Sequence, residues 1–143
     1  MIDTSAYLQI GIRGPTNGPE DYLDATRLGA RMITFDQAHK QGVDAVIREI
    51  QSRVGARPAY VTLDIDCVDP AFAPGTGTPE VGGFSSYEIL QLVRGLKGLN
   101  LVGFDLVEVS PPFDPTGITS ILAANLVFEY LSLIALSKTQ KPQ

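Results

Sequence analysis

The chain has 143 residues, of which 44% are hydrophobic and 19% charged, so it is long enough for one domain with a core of its own and has the composition of a soluble globular protein. Its net charge of −5 argues against a nucleic-acid-binding face and suits a cationic substrate or a metal ion, although solubility explains it equally well. The single cysteine, Cys67, excludes an internal disulfide and favours a reducing compartment, so we expect a cytoplasmic location.

Apolar runs separated by Gly, Pro and polar residues predict strands that alternate with helices. The strands are predicted at 7–12, 31–35, 60–63 and 100–109, and the helices at 19–28, 43–54, 85–96 and 118–137. This alternation predicts an α/β fold with a parallel sheet and helices on both faces, and no linker interrupts residues 1–143. The last helix is apolar but contains Asn125, Glu129 and Ser132, so we expect a buried helix and no membrane span.

Asp64 and Asp66, directly after the third predicted strand, are the first candidates for ligand binding. Residues two apart on an extended chain point to the same side, so both carboxylates can converge on one cation. Two carboxylates about 4 Å apart repel by about 4 kcal/mol at an effective dielectric constant of roughly 20, and a cation between them relieves this repulsion. Oxygen ligands favour Mg, Ca or Mn, and added imidazole ligands extend the choice to Zn, Ni or Fe. The alternative is that Asp66 and Asp69 only cap the following loop.

Glu108 lies at the end of the fourth predicted strand. Ligands of parallel α/β sheets bind outside the carboxyl ends of the strands, so Glu108 and Asp64 are predicted to face the same crevice. A glutamate in such an apolar setting costs free energy unless it is paired. It therefore either forms a salt bridge with an arginine such as Arg13 or Arg94, or binds a cationic group of a substrate.

His39 and Cys67 are weaker candidates. His39 is the only histidine and stands among polar residues, which favours a surface position over a metal-binding role. Cys67 has no nearby base in the sequence, so we expect it to pack as a small residue and not to act as a nucleophile.

Segments 64–70 and 73–83 read Asp-Ile-Asp-Cys-Val-Asp-Pro and Ala-Pro-Gly-Thr-Gly-Thr-Pro-Glu-Val-Gly-Gly. Together they resemble the signature of the ureohydrolases, the group of arginase, agmatinase and formiminoglutamase. Segment 101–114 resembles the strand that follows in that family, 119–135 its closing helix, and 9–14 an earlier strand. The Gly-Thr-Gly-Thr-Pro-Glu segment is more similar to agmatinase and guanidinobutyrase relatives than to arginase.

This resemblance implies an arginase-like three-layer α/β/α fold, here reduced to about four βα units. It also implies hydrolysis of a guanidino compound, either agmatine or a guanidino acid, to urea and an amine at a binuclear manganese site. By the same resemblance, Asp64 bridges both metals and Asp66 binds one of them. Glu108 holds the guanidinium group of the substrate, and Thr78 lines the site.

Two further family motifs, Gly-Gly-Asp-His and Asp-Ala-His-x-Asp, and the family's catalytic histidine precede the strand matched by 7–12 and do not occur in this sequence. The segment 36–39, Asp-Gln-Ala-His, is no displaced copy because it follows that strand. We therefore expect the C-terminal half of a ureohydrolase domain that has no catalytic residue of its own, binds one manganese ion weakly or none, and is inactive alone. The expected partners are a small guanidino substrate and either further copies of the chain or a complementing N-terminal half, with no nucleic acid and no membrane.

Three alternatives remain open at this point. Asp-x-Asp after an apolar strand also occurs in phosphotransferases of the haloacid-dehalogenase type, but Lys97 is poorly placed for that chemistry and no acidic pair follows. A calcium-binding loop would need a central glycine and a terminal glutamate that this segment lacks. The third alternative is a non-catalytic remnant of the ureohydrolase fold that forms oligomers.

Overall fold

The computed structural model describes residues 2–16, 18 and 20–139, without the side chains of residues 138 and 139. Four strands alternate with helices, which confirms the α/β class: β1 Leu8–Ile12, β2 Arg31–Thr34, β3 Pro58–Asp64 and β4 Asn100–Val107. The helices are α1 Glu20–Arg27, α2 Phe35–Gln41, α3 Val43–Val54, α4 Ser86–Arg94 and α5 Ile118–Thr139. Short 3-10 turns cover Thr4–Ala6, Ile65–Cys67 and Pro111–Phe113.

The strands are parallel, as predicted, but within the described residues they form two separate pairs. β1 pairs with β2, and β3 pairs with β4. In the second pair Asp64 lies opposite Val107, so the residue after Val107 emerges beside the end of β3. This register brings Asp64 and Glu108 to the same edge of the sheet.

Capping boxes start two of the helices. The Ser85 hydroxyl accepts a hydrogen bond from the Glu88 amide, and the Glu88 carboxylate accepts one from the Ser85 amide, as the sequence predicted for α4. Helix α2 was not predicted. Thr34 and Gln37 form the same reciprocal pattern at its start, and the Thr-x-x-Gln spacing is the signal that could have revealed this helix.

The core lies between the helices and one face of the β3–β4 pair. Its most buried large side chains include Ile33, Val46, Ile65 and Leu126. The other face of β3 carries Tyr60, which is 62% exposed, and Thr62, which is also exposed. Over the part of the chain that the structure describes, this second face has no complete helical cover.

Helix α5 is buried on one side only. Its inner side packs on β4, with the Tyr130 ring stacked on Phe104 at a centroid distance of 4.1 Å. Its outer side exposes Ile121, Phe128 and Leu131 by 63%, 66% and 58%. Residues 118–137 have a mean hydropathy of 1.7 and are long enough to cross a bilayer by length and composition alone, and 28% of this stretch is buried in the chain. The prediction of a buried helix therefore holds for one of its two sides.

Candidate metal and substrate site

Asp64 and Asp66 lie where β3 gives way to a 3-10 turn. Asp64 is the last residue of β3, and its Oδ1 atom accepts a hydrogen bond of 3.0 Å from the Asp66 backbone amide. This cap starts the turn Ile65–Cys67 and leaves both carboxylates half-buried. Aspartate commonly has this role in turns, because its short side chain can accept a hydrogen bond from the backbone amide two residues later. The cap occupies one oxygen of Asp64 and leaves the other for a ligand.

The pKa of Asp64 is influenced by the charges of both Asp66 and Glu108. Burial raises the pKa of Asp64, the hydrogen bond from the Asp66 amide opposes this effect, and the negative charges of Asp66 and Glu108 raise the pKa further. Charges influence one another in this way only at short range. The strand register and these charge effects thus bring the three predicted acids together at the carboxyl end of the β3–β4 pair.

Glu108 has an unusual backbone conformation. It follows the last residue of β4, is exposed, and has a φ of 66°, a value seen at no other described residue except glycines. A non-glycine residue in this region carries strain of about 1 kcal/mol or more and is common at functional sites. Neither arginine considered as its partner binds it, since Arg94 pairs with Glu129 at 2.6 Å and Arg13 donates to backbone carbonyls. The salt-bridge alternative for Glu108 therefore does not hold.

Thr78 reaches the carboxylates from the loop that follows. Its hydroxyl donates a hydrogen bond of 3.0 Å to Asp66 Oδ2. Asp69 fixes the far end of this loop, because its Oδ2 accepts hydrogen bonds from the amides of Gly82 and Gly83. A hydrogen bond from the Ala71 amide to Asp69 Oδ1, together with these two bonds, lowers the pKa of Asp69. One alternative was that Asp66 and Asp69 only cap the following loop. In the structure Asp69 does so, whereas the Asp66 side chain accepts a hydrogen bond from Thr78.

The near end of the loop is anchored on α5 through residues that the sequence analysis did not select. The Gly75 amide donates to Thr119 Oγ1 at 2.8 Å, and its carbonyl accepts from the Ser110 amide at 2.8 Å. Burial acts to raise the pKa of Asp114, but hydrogen bonds from Ser120 and Thr119 at the start of α5 outweigh it and lower the pKa. A Cβ on Gly75 would lie 2.5 Å from Asp114, so the close approach requires glycine. Asp114 lies four residues before Ile118, outside the N-cap position, so no standard capping signal identified this anchor.

His39 and Cys67 have the surroundings that the sequence predicted, although Cys67 directly follows Asp66. His39 is exposed and stacks on Phe35, with ring centroids 5.7 Å apart. Cys67 packs against the core, and removal of its thiol from water raises its pKa to about 12. A protonated thiol is a poor nucleophile and a poor metal ligand, so Cys67 is a packing residue.

The acids are of the type that binds a divalent metal, but the described residues bring too few of them together for a complete metal site. Asp64 and Asp66 offer hard oxygen donors two residues apart at the end of one strand. Residues 2–16, 18 and 20–139, however, contain no group of three or more His, Cys, Asp or Glu able to hold a metal ion. Two carboxylates supply only part of the coordination that such an ion requires.

Parallel strands with carboxylates gathered at their carboxyl ends define an α/β protein whose candidate ligand site lies at that edge of the sheet. The sequence model of the Arginase family matches residues 1–132. Among curated proteins, the chain is 50% identical over 135 residues to the guanidinopropionase of Pseudomonas aeruginosa, and 42% identical over 139 residues to the mitochondrial agmatinase of Gallus gallus. These matches cover 94% and 97% of this chain, and 42% and 41% of the two relatives.

Solved structures agree. A hypothetical agmatinase from Burkholderia thailandensis superposes with a TM-score of 0.86 at 47% identity, over 96% of this chain and 41% of that one. The proclavaminate amidino hydrolase from Streptomyces clavuligerus gives a TM-score of 0.86 at 50% identity, over 92% of this chain and 44% of that one. The chain belongs to the arginase family, which confirms the resemblance and is incompatible with the phosphotransferase and calcium-loop alternatives. It spans about 42% of the length of the guanidinopropionase.

Proposed function

We propose that this chain carries the C-terminal part of the active site of an agmatinase-like ureohydrolase, which hydrolyses agmatine or a guanidino acid to urea and an amine. The observation that carries the proposal is the grouping of Asp64, Asp66 and Glu108 at the ends of two paired strands, with Thr78 bonded to Asp66. Relatives named guanidinopropionase, guanidinobutyrase and agmatinase support the substrate class. A cytoplasmic location is proposed from the single free cysteine.

Each acid has a distinct proposed role. Asp64 and Asp66 would hold manganese through their carboxylate oxygens, and Thr78 fixes the orientation of Asp66 by its hydrogen bond. When bound, the metal would lower the pKa of water enough to provide a nucleophile at neutral pH. Glu108 binds the guanidinium group of the substrate, because a carboxylate and a guanidinium form strong, directional hydrogen bonds. Its backbone has a positive φ of 66° directly after β4.

The site requires further polypeptide. The described residues provide two aspartates and no imidazole ligand beside them, so we propose that the isolated chain binds one metal ion weakly or none and has no ureohydrolase activity. The remaining ligands come from a complementing N-terminal half, or the chain associates with further copies of itself. The exposed apolar side of α5 and the exposed face of β3 are surfaces that such association would cover.

A direct assay tests the proposal. The chain is purified alone and co-expressed with the part of the P. aeruginosa guanidinopropionase that it does not match, and urea release from agmatine, guanidinobutyrate and guanidinopropionate is measured with manganese. We expect no urea from the chain alone, urea from the assembled pair, and none from a pair carrying Asp66→Asn. Urea release by the chain alone would contradict the proposed incompleteness of the site, and an inactive, well-folded pair would contradict the proposed function.

The second candidate is a non-catalytic remnant that forms oligomers through the same fold. The observation that favours it is the lack of a three-ligand cluster among the described residues. A manganese titration of the co-expressed pair separates the two. Two ions bound tightly per assembled site support the enzyme, and absence of binding supports the remnant.

A further inference from the structure

Arg13 joins the two segments that carry the candidate site residues. It directly follows β1 and is half-buried. Its guanidinium donates hydrogen bonds to the carbonyls of Asp66 at 2.6 Å and Val68 at 3.4 Å, in and after the turn that ends β3. It also donates to the carbonyls of Glu80 at 2.5 Å and Val81 at 3.2 Å, in the loop that carries Thr78. One side chain thus binds two segments that lie 53 and 67 residues away from it in the sequence.

The loop packs closely against this guanidinium at Gly83. A Cβ on Gly83 would lie 2.8 Å from Arg13 Nη2 and 2.8 Å from the Cys67 carbonyl oxygen, so the loop approaches this closely only because residue 83 is glycine. The four acceptors are neutral carbonyls and not carboxylates. An arginine that donates to backbone carbonyls stabilises the backbone conformation of the segments that carry them. One of the carbonyls that Arg13 binds belongs to Asp66.

We propose that Arg13 is a positioning residue for the metal-binding carboxylate of Asp66. It holds the Asp66 carbonyl on one segment and the Glu80 carbonyl on the other, which fixes the distance across which Thr78 donates to the Asp66 carboxylate. Arg13 acts through Asp66 and touches neither metal nor substrate. The inference rests on the proposed function, because it gives Arg13 a positioning role in the proposed metal site.

Arginine is needed here for its shape as well as its charge. The planar guanidinium presents five N–H donors in fixed directions, so it can bind carbonyls of two segments at once. Lysine has three donors on one atom and cannot reproduce this spread. Arg13→Lys therefore retains the charge and loses the geometry, whereas Arg13→Met loses both.

The test uses the full chain, isotope-labelled for NMR, assembled with the co-expressed part of the P. aeruginosa guanidinopropionase that it does not match, and titrated with Mn²⁺ alone. The unsubstituted chain and each variant are measured in this pair. Paramagnetic broadening of the Asp64, Asp66 and Glu108 amide signals reports the cation at the site, even when binding is weak. Hydrogen exchange of the Gly82 and Gly83 amides, which Asp69 holds, reports the order of the loop. Arg94→Met is the matched control, since Arg94 pairs with Glu129 on the helices.

In the unsubstituted chain we expect selective broadening of these signals. Arg13→Met should require about tenfold more Mn²⁺ for the same broadening, as is typical for loss of a group that orients a ligand, and should exchange the Gly82 and Gly83 amides faster. Arg13→Lys should give results between those of the unsubstituted chain and Arg13→Met. Because lysine is closer to the native side chain, this variant also keeps the test decisive if Arg13→Met does not fold. Arg94→Met should match the unsubstituted chain.

Three outcomes would overturn the inference while leaving the proposed function standing. These are an unchanged Mn²⁺ requirement in Arg13→Met, full rescue by lysine, and unchanged exchange in the loop. A different outcome contradicts the proposed function itself: no selective broadening in the unsubstituted chain would mean that Asp64 and Asp66 bind no cation, and the role of Arg13 would fall with it.

Discussion

The Thr78 hydroxyl donates a hydrogen bond of 3.0 Å to Asp66 Oδ2 and so links an exposed loop to the turn that ends β3. The two residues are 12 positions apart, and both belong to the segment whose sequence resembles the ureohydrolase signature. A donor that fixes one oxygen of a carboxylate determines where the other oxygen points. This bond is therefore the smallest part of the proposed site that can be tested alone.

Replacing Thr78 by valine should weaken cation binding with little effect on folding. Thr78→Val removes the donor from an exposed position, so we expect the free energy of unfolding to change by no more than about 0.5 kcal/mol. Loss of the orienting bond should raise the Mn²⁺ concentration needed to broaden the Asp66 signal by about tenfold. Thr78→Ser, which keeps the hydroxyl, is the control. Equal responses of the valine and serine variants would show that the bond does not orient Asp66.

Replacing Glu108 by glycine should stabilise the chain and remove its substrate-binding group. Because glycine adopts a positive φ without steric cost, Glu108→Gly should raise the free energy of unfolding by about 1 kcal/mol, measured by urea denaturation. The same change should abolish binding of agmatine to the assembled pair, measured by calorimetry.

Glu108→Gln separates the two effects, since it keeps the strained backbone and removes the charge. We expect it to leave the free energy of unfolding close to that of the unsubstituted chain and to abolish agmatine binding as glycine does. A glycine variant that is less stable than the glutamine variant would show that the φ of 66° carries no strain.

Asp64→Asn should raise the melting temperature at neutral pH. Burial and the neighbouring carboxylates raise the pKa of Asp64 in the folded chain, so the folded state binds a proton more tightly than the unfolded state. The corresponding stability is present below the unfolded pKa and is lost as the pH rises through the higher folded pKa. Ionised Asp64 therefore costs stability at pH 7, and asparagine removes the cost.

Thermal unfolding between about pH 3 and pH 7, either side of the ordinary aspartate pKa, measures this effect. We expect Asp64→Asn to melt a few degrees above the unsubstituted chain at pH 7, with the gap closing at acidic pH. Asp44→Asn is the control with the opposite sign, because an exposed acid in the first turn of α3 stabilises its helix. A gap that widens toward acidic pH would contradict the raised pKa of Asp64.

A charge on the outer side of α5 should reduce self-association. Phe128 is 66% exposed near the middle of an apolar surface that also carries Ile121 and Leu131. An exposed apolar patch of this kind drives association, so the weight-average mass of the chain in sedimentation should rise with concentration. Phe128→Lys should shift this rise to at least several-fold higher concentration. Tyr87→Lys, at a 69% exposed position on α4, should not, and a chain that stays monomeric throughout would count against association through α5.

Much of the fold could be predicted because its signals are local. Alternating apolar and polar stretches located four strands and four of the five helices, and the Ser85–Glu88 capping box marked the start of α4 within one residue. Helix α2 was missed although Thr34 and Gln37 carry the same kind of local signal. The candidate residues Asp64, Asp66, Thr78 and Glu108 were selected from the order of the strands and from the resemblance to the family.

Other features depend on partners that are distant in the sequence. Nothing near Arg13 indicates that it binds carbonyls more than 50 residues away, and the sequence analysis considered it only as one of two candidate partners of Glu108. Likewise, the exposed outer side of α5 could not be told from a buried one, because the helix is apolar on all sides and only its neighbours decide which side is covered.

By itself, the sequence determined the α/β class, the place of the acids after two strands and the membership in the arginase family, because each follows from the pattern of neighbouring residues. Only the tertiary structure decided how these parts meet: the register that sets Glu108 beside Asp64, the positive φ of Glu108, and the bond from Thr78 to Asp66. The physical reason is that backbone propensity acts over a few residues, whereas the distance between two carboxylates is set by strand pairing and packing across the whole chain.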